Sequence, residues 1–162
     1  MLSIRAATPG DSSQLTQISF ASKNYWGYPG SYFVTWRDEL TITPDYIDKN
    51  AVYAAEIKQK IVGFYSITHN AQDVRVNSIF VKRGFWLDHM FVLPQNIGQG
   101  IGTQLCNHVL KICPPLGCTK LLIFVDPNSK GFYEKIGATY MEEVPSSIEG
   151  RTVSFFEWNT VI

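Results

Sequence analysis

The densest chemical signal in the chain is Val92-Leu93-Pro94-Gln95-Asn96-Ile97-Gly98-Gln99-Gly100-Ile101-Gly102-Thr103. Three alternate glycines follow an apolar run over residues 85–92 and lead directly into a helical pattern. Positions without side chains at a strand-to-helix junction leave backbone N–H groups bare, and the helix start adds partial positive charge. That combination suits a phosphate or pyrophosphate group. Two further sets of residues can do chemistry. Asp88 and His89 are adjacent titratable residues on the run before the loop, and Trp26, Tyr28, Tyr32 and Trp36 form an aromatic group near the N-terminus.

These residues need elements to hold them. Residues 2–7 read as a first strand, and Thr8-Pro9-Gly10-Asp11 opens a helix with Thr8 as N-cap, Pro9 in its first position and Asp11 in the first turn. Leu15, Ile18 and Ser22 carry the inner face of that helix, and the aromatic-rich loop around Gly27 ends it. A second helix follows over 31–40, and Thr43-Pro44 repeats the cap-plus-proline start. From Ala51 the period changes to two. Strands over 51–57 and 61–68 flank a polar hairpin turn at Lys58-Gln59-Lys60, and 85–93 is the next strand.

Ile101, Leu105, Val109 and Ile112 mark one face of a helix that Pro114-Pro115 should end. Residues 121–125 form a continuous apolar run, as in a strand buried on both faces. A short helix through Phe132, Tyr133 and Ile136 closes at Gly137. Two strands over 138–144 and 151–158 finish the chain as an antiparallel pair. The order β-α-α-β-β-β-α-β-α-β-β, without linker or repeat, predicts one α/β domain over 1–162.

Composition narrows the function classes. The chain of 162 residues has 45% apolar and 17% charged residues, which fits a globular domain. Lys+Arg and Asp+Glu are both 14, which argues against a dedicated nucleic-acid or anionic-membrane binder. Cys106, Cys113 and Cys118 are an odd number without framework spacing, so a reducing compartment is expected. His108 with Cys113 and Cys118 lacks a fourth ligand and a standard spacing, so no metal is expected. The start Met1-Leu2-Ser3-Ile4-Arg5 reaches a Pro-Gly turn too soon for a signal peptide, and no run of ~18 apolar residues occurs, so a cytoplasmic, membrane-free protein is expected.

Two dinucleotide or nucleotide readings of the loop compete. A Rossmann site wants an acidic residue after the next strand, and Asp126 lies near that distance. Against it, Thr103 occupies the position where close helix packing wants Gly or Ala, and too little sequence remains for the other parallel strands. The Walker pattern fails because no Gly-Lys-Ser/Thr occurs.

Val92-x-Pro94 followed by Gly98-x-Gly100-x-Gly102 resembles the acetyl-CoA signature of the GCN5-related N-acetyltransferases (GNAT). Asp126-Pro127-Asn128, with Gly131-Phe132-Tyr133-Glu134-Lys135-Ile136-Gly137 after it, resembles that family's second signature at the expected separation. With the Thr8-Pro9-Gly10-Asp11 opening, the resemblance spans nearly the whole chain. One position departs: Ile97 stands where the family usually places Arg or Gln three residues before the central glycine.

The resemblance implies a single-domain GNAT-like fold. Its sheet is mixed, mostly antiparallel and flanked by helices, and its central strand pair splays where the pantetheine arm of acetyl-CoA lies. Backbone groups around Phe91 and Val92 would bind the arm and polarise the thioester carbonyl. The loop Ile97, Gly98, Gln99, Gly100, Ile101, Gly102 and Thr103 would hold the pyrophosphate, with Asn128, Phe132 and Tyr133 contacting the arm. Tyr133 sits where the family often keeps a general acid, and a phenol near pKa ~10 can protonate the departing thiolate. Its other reading is a core aromatic on a short helix.

The implied reaction is N-acetylation of a primary amine in a ternary complex. No Cys in either signature points to an acyl-cysteine step. An alkylammonium of pKa ~10.4 is mostly protonated near neutral pH, so a base or water relay helps. Adjacent strand residues point to opposite faces, so one of Asp88 and His89 can serve. Asp88, sharing a face with Trp86 and Met90, is preferred. Trp26, Tyr28, Tyr32 and Trp36 either wrap a small-molecule amine, with Asp38 or Glu39 attracting its charge, or pack helix against sheet. A catalytically silent acyl-CoA-binding sensor is the alternative function. The aromatic strand over 151–158 can pair across a homodimer or pack within one subunit.

Overall fold

The computed structural model describes residues 1–76 and 78–161. Its elements in chain order are β1 (Leu2–Ala6), α1 (Ser12–Asn24), α2 (Gly30–Leu40), α3 (Pro44–Lys49), β2 (Ala51–Ile57), β3 (Lys60–Asn70), β4 (Val74–Val76), β5 (Ile79–Val81), β6 (Gly84–Val92), α4 (Ile101–Leu116), β7 (Lys120–Val125), α5 (Lys130–Lys135), β8 (Thr139–Pro145) and β9 (Thr152–Asn159). Seven strands form a mixed sheet in the order β1-β2-β3-β6-β7-β9-β8, flanked by helices. The predicted α/β class and nearly every predicted element are present. By packing, the chain divides into two compact units, residues 1–67 with 89–108 and residues 68–88 with 109–162, so β6 runs through both.

In the first unit β1, β2 and β3 are antiparallel, with Leu2 opposite Ile57 and Ala54 opposite Phe64. The β2–β3 turn places Lys58 and Gln59 at φ +52° and +65°, the left-handed pair that a two-residue hairpin turn requires. Leu15 and Ile18 of α1 pack with Ile42, Ile47, Val52, Ala54, Ile61 and Phe64. The predicted opening is a single 3-10 turn, Pro9–Asp11, before α1. Asp11 accepts the Thr8 N–H at 2.8 Å and two bonds from the Arg5 guanidinium at 2.8 and 3.0 Å. Hydrogen bonding from Arg5 holds the Asp11 carboxyl below its ordinary range.

Gly63 on β3 has a specific reason to be glycine. A Cβ there would lie 2.9 Å from the Phe91 carbonyl oxygen, against backbone and not a movable side-chain tip. Gly63→Ala is therefore expected to cost about 1–3 kcal/mol, read as a lower urea midpoint at unchanged m-value. A midpoint equal to that of the parent would contradict this close approach.

In the second unit β6 and β7 are parallel, with Phe85 opposite Leu121 and Trp86 opposite Leu122. Strand β7 continues to Val125, pairing antiparallel with β9 along its whole length. Trp86, Leu122 and Phe155 form a core with Val81, Phe124 and Val144 around it.

One expectation is corrected. Pro114 and Pro115 do not end α4; they lie inside its last turn. The helix ends two residues later, where Gly117 at φ +76° lets its N–H reach the Pro114 carbonyl and the Cys118 N–H reach the Cys113 carbonyl, both at 3.0 Å. Strand β9 has β7 on one side and β8 on the other, so both of its edges are filled within the chain, as packing within one subunit requires. The antiparallel pair β4–β5 was not anticipated, because three-residue strands are too short for a periodic signal. Among the described residues, no helix is long and apolar enough to cross a membrane.

Candidate active site

The glycine junction is built by backbone conformation. After β6, a 3-10 turn over Pro94–Asn96 leads to Ile97 in an extended conformation. Gly98 and Gly100 adopt φ +83° and +79°, where a side chain is strained, and a Cβ on either would meet nothing within 4 Å. The first i→i−4 bond of α4 runs from the Gln104 N–H to the Gly100 carbonyl at 3.1 Å. The N–H groups of Ile101, Gly102 and Thr103 precede that bond and have no acceptor within the helix. The atypical Ile97 donates its own N–H to the Pro94 carbonyl at 3.2 Å, and its side chain is about half exposed. Gln99 accepts from the Asn96 amide at 3.2 Å, so its carboxamide oxygen is held by the loop itself.

Strand β6 sends its two titratable residues to opposite faces, as the pleat requires. Asp88 is exposed, while His89 is 9% exposed. His89 Nε2 lies 2.7 Å from the Glu39 carbonyl oxygen, which can only accept, so Nε2 carries the proton. Nδ1 is then the acceptor, with Ser66 Oγ at 2.8 Å and Tyr46 Oη at 3.3 Å. Both ring nitrogens are engaged inside the first unit. Farther along the strand, Phe91 packs on Phe64, Ser22 Oγ donates to the Val92 carbonyl at 2.8 Å, and the Leu93 N–H donates to the Val62 carbonyl at 2.8 Å.

The second signature folds in the second unit. Asp126 Oδ1 accepts from the backbone and the side-chain amide of Asn128, both at 3.0 Å. Asn128 is exposed, Phe132 half-buried and Tyr133 buried, the last two rings meeting edge-on at 5.2 Å. Gly137, at φ +101°, closes α5 as predicted: its N–H reaches the Glu134 carbonyl, and the Ala138 N–H reaches that of Tyr133.

Three of the four N-terminal aromatics come together. The Tyr28, Tyr32 and Trp36 ring centroids lie 5.2–5.9 Å apart, whereas the half-exposed Trp26 pairs with Tyr25 at 4.8 Å. Trp36 is 4% exposed, so packing accounts for much of its surface. The Lys23 ammonium lies 4.6 Å from the Trp36 ring centre and 5.9 Å from that of Tyr28. Sequence reasoning missed this cation, along with Tyr46, Gly63 and Ser66, and read Ser22 only as an inner-face position of α1. No periodic signal links positions that meet only through tertiary packing.

The three cysteines are free and buried, and burial pushes the Cys106 thiol up to about 12, leaving it a neutral group. His108 Nδ1 is bonded to Tyr65 Oη at 2.7 Å. Among the described residues, no group of three or more His, Cys, Asp or Glu side chains is placed to hold a metal ion.

Residues 19–138 match the model of the Acetyltransferase (GNAT) family. The chain belongs to the GNAT family. It is 29% identical over 107 residues to the peptidyl-lysine N-acetyltransferase YjaB of Salmonella typhimurium, covering 63% of this chain and 70% of that protein. It is 32% identical over 71 residues to the thialysine N-epsilon-acetyltransferase of Mus musculus, covering 42% of each. This GNAT chain also shares its fold with the PaiA N-acetyltransferase of Thermoplasma acidophilum, solved in complex with coenzyme A. That match has a TM-score of 0.76 at 17% identity, over 98% of this chain and 99% of that one. The sequence resemblance is thus confirmed for family and fold, and this GNAT chain is an acetyltransferase.

Proposed function

We propose that the chain transfers acetyl from acetyl-CoA directly to the primary amine of a lysine-like acceptor. The observation that carries this reading is the bare junction over Gly98, Gly100 and the first turn of α4, with open space where side chains would lie. A diphosphate fits such a junction because converging N–H groups and the helix dipole both favour negative charge. The acceptor class is supported by the names of the two sequence relatives, one acting on peptidyl-lysine and one on the ε-amine of thialysine. Free cysteines support a reducing, cytoplasmic setting.

In this mechanism Gly98, Gly100, Ile101, Gly102 and Thr103 bind the diphosphate through backbone N–H groups. Ile97 and Gln99 contribute less, since one N–H and one carboxamide oxygen serve contacts within the loop. The β6 backbone around Phe91 and Val92 binds the pantetheine arm and polarises the thioester carbonyl, and Asn128 and Phe132 contact the arm. The amine nitrogen attacks the carbonyl carbon; the C–N bond forms, the C–S bond breaks, and its electron pair goes to sulfur. Asp88 accepts the ammonium proton through water before attack, Tyr133 donates a proton to the thiolate, and the second proton that the nitrogen sheds after attack restores the Tyr133 phenol through water. Tyr28, Tyr32 and Trp36 line the acceptor side, with Trp26 at its rim.

Gly100→Ala tests the loop. The new methyl must adopt a left-handed conformation that costs about 1–2 kcal/mol and occupies the open face. CoA affinity should fall about tenfold or more, while the strain lowers the thermal midpoint by only about 2–8 °C; equal affinity would contradict diphosphate binding there. Thiol release from acetyl-CoA across lysine, thialysine, lysyl peptides and polyamines tests the reaction. Turnover with intersecting double-reciprocal lines supports ternary-complex transfer. Tight CoA binding without turnover on any amine would favour the silent sensor.

A further inference from the structure

We infer that His89 is a positioning residue that caps the C-terminal end of α2 from strand β6 and thereby fixes the acceptor-side helix on the part of β6 that leads into the glycine junction. This rests on the acetyl-transfer reading for what it means, but its structural basis is independent of it.

The last carbonyls of a helix lack intrahelical partners, and each buried one needs a donor. At the end of α2 the Arg37 carbonyl accepts from both the N–H and the hydroxyl of Thr41, at 3.1 and 2.6 Å. The Glu39 carbonyl accepts instead from His89 Nε2 at 2.7 Å, across fifty positions of sequence. The other ring nitrogen is fixed by Ser66 of β3 and Tyr46 of α3, and the ring sits edge-on to Tyr46 at a centroid distance of 5.5 Å. The imidazole therefore joins α2, α3, β3 and β6 at one point.

What α2 carries explains why the link matters. Trp36 and Tyr32 lie about one and two turns before Glu39 and belong to the aromatic group beside the Lys23 ammonium. Asp88 is the residue directly preceding His89 on β6. Any slide or tilt of α2 would move those aromatics relative to residues 89–92 of β6, the stretch that leads into the glycine junction. A histidine with both ring nitrogens hydrogen-bonded is suited to fixing that distance.

Two substitutions that keep the site filled separate the link from simple packing. His89→Gln retains an N–H donor toward the Glu39 carbonyl, and His89→Met does not. In amide hydrogen exchange, His89→Met should speed exchange over residues 30–40 about tenfold, with α4 unchanged and CoA affinity within twofold. His89→Gln should restore most of that protection. With a turned-over amine, His89→Met should raise KM for the amine about tenfold and leave the shape of the pH–rate profile intact.

Unchanged exchange over α2 in His89→Met would overturn the inference, as would equal loosening of α4 or equal loss in both variants. Loss of the acidic limb of the pH profile with α2 still protected would make His89 the base instead. If no amine is acetylated by the parent protein, the acetyl-transfer reading fails while the exchange comparison still decides the link.

Discussion

Tyr133→Phe is expected to lower kcat by about 10²–10⁴-fold, the range for removing a positioned general acid, with KM for acetyl-CoA nearly unchanged. The substitution deletes one oxygen from a buried ring whose edge-on packing against Phe132 does not depend on it. Short helix α5 keeps its cap, because the Ala138 N–H bonds the Tyr133 backbone carbonyl and not its side chain. A large loss of turnover in a stably folded variant would therefore belong to the phenol proton. The effect should shrink when the thiol leaving group is made more acidic, since a better leaving group needs less protonation. Parent-like turnover would return Tyr133 to the alternative reading, a core aromatic and nothing more.

Asp88→Asn carries the second large effect. Asn has nearly the same shape, and position 88 is exposed, so stability should change by less than about 0.5 kcal/mol. Without a carboxylate to take the ammonium proton, kcat/KM for a strongly basic amine should fall about 10²-fold or more. An amine of lower basicity presents more free base at neutral pH and should lose less. That graded dependence distinguishes proton removal from a charge contact, which would weaken all cationic acceptors alike. Equal losses across amines of different basicity would contradict the role given to Asp88. A full loss reproduced by His89→Met, with α2 still protected, would move the role to His89.

The features that were legible in the sequence are those with local physical causes. Gly98, Gly100 and Gly137 mark left-handed positions, so their spacing reveals a junction and a helix end before any tertiary contact is known. The long amphipathic α4 and the hairpin at Lys58-Gln59 also depend on neighbours close in sequence. What sequence misjudged follows from competition between local signals. At the end of α4, two prolines suggested a stop, but Gly117 supplied the actual cap two residues later.

The illegible features are long-range. The face on which Asp88 or His89 lies was known to alternate, yet which one would be buried depended on Glu39, Tyr46 and Ser66, 50, 43 and 23 positions away. The aromatic group was visible, but the Lys23 ammonium beside it and the separation of Trp26 depend on how α1 and α2 cross. No local signal distinguishes Gly63, whose constraint comes from the Phe91 carbonyl packed against it.

Mass spectrometry of both products in one reaction tests the acetyl-transfer account most directly. Purified protein would be incubated with acetyl-CoA and a lysine-like amine, and free CoA and acetylated amine quantified together. The account predicts one acetylated ε-amine for each CoA released, no acetyl-protein intermediate, and loss of both products in Tyr133→Phe. CoA released without acetylated amine, or an acetyl group trapped on a protein thiol, would contradict it.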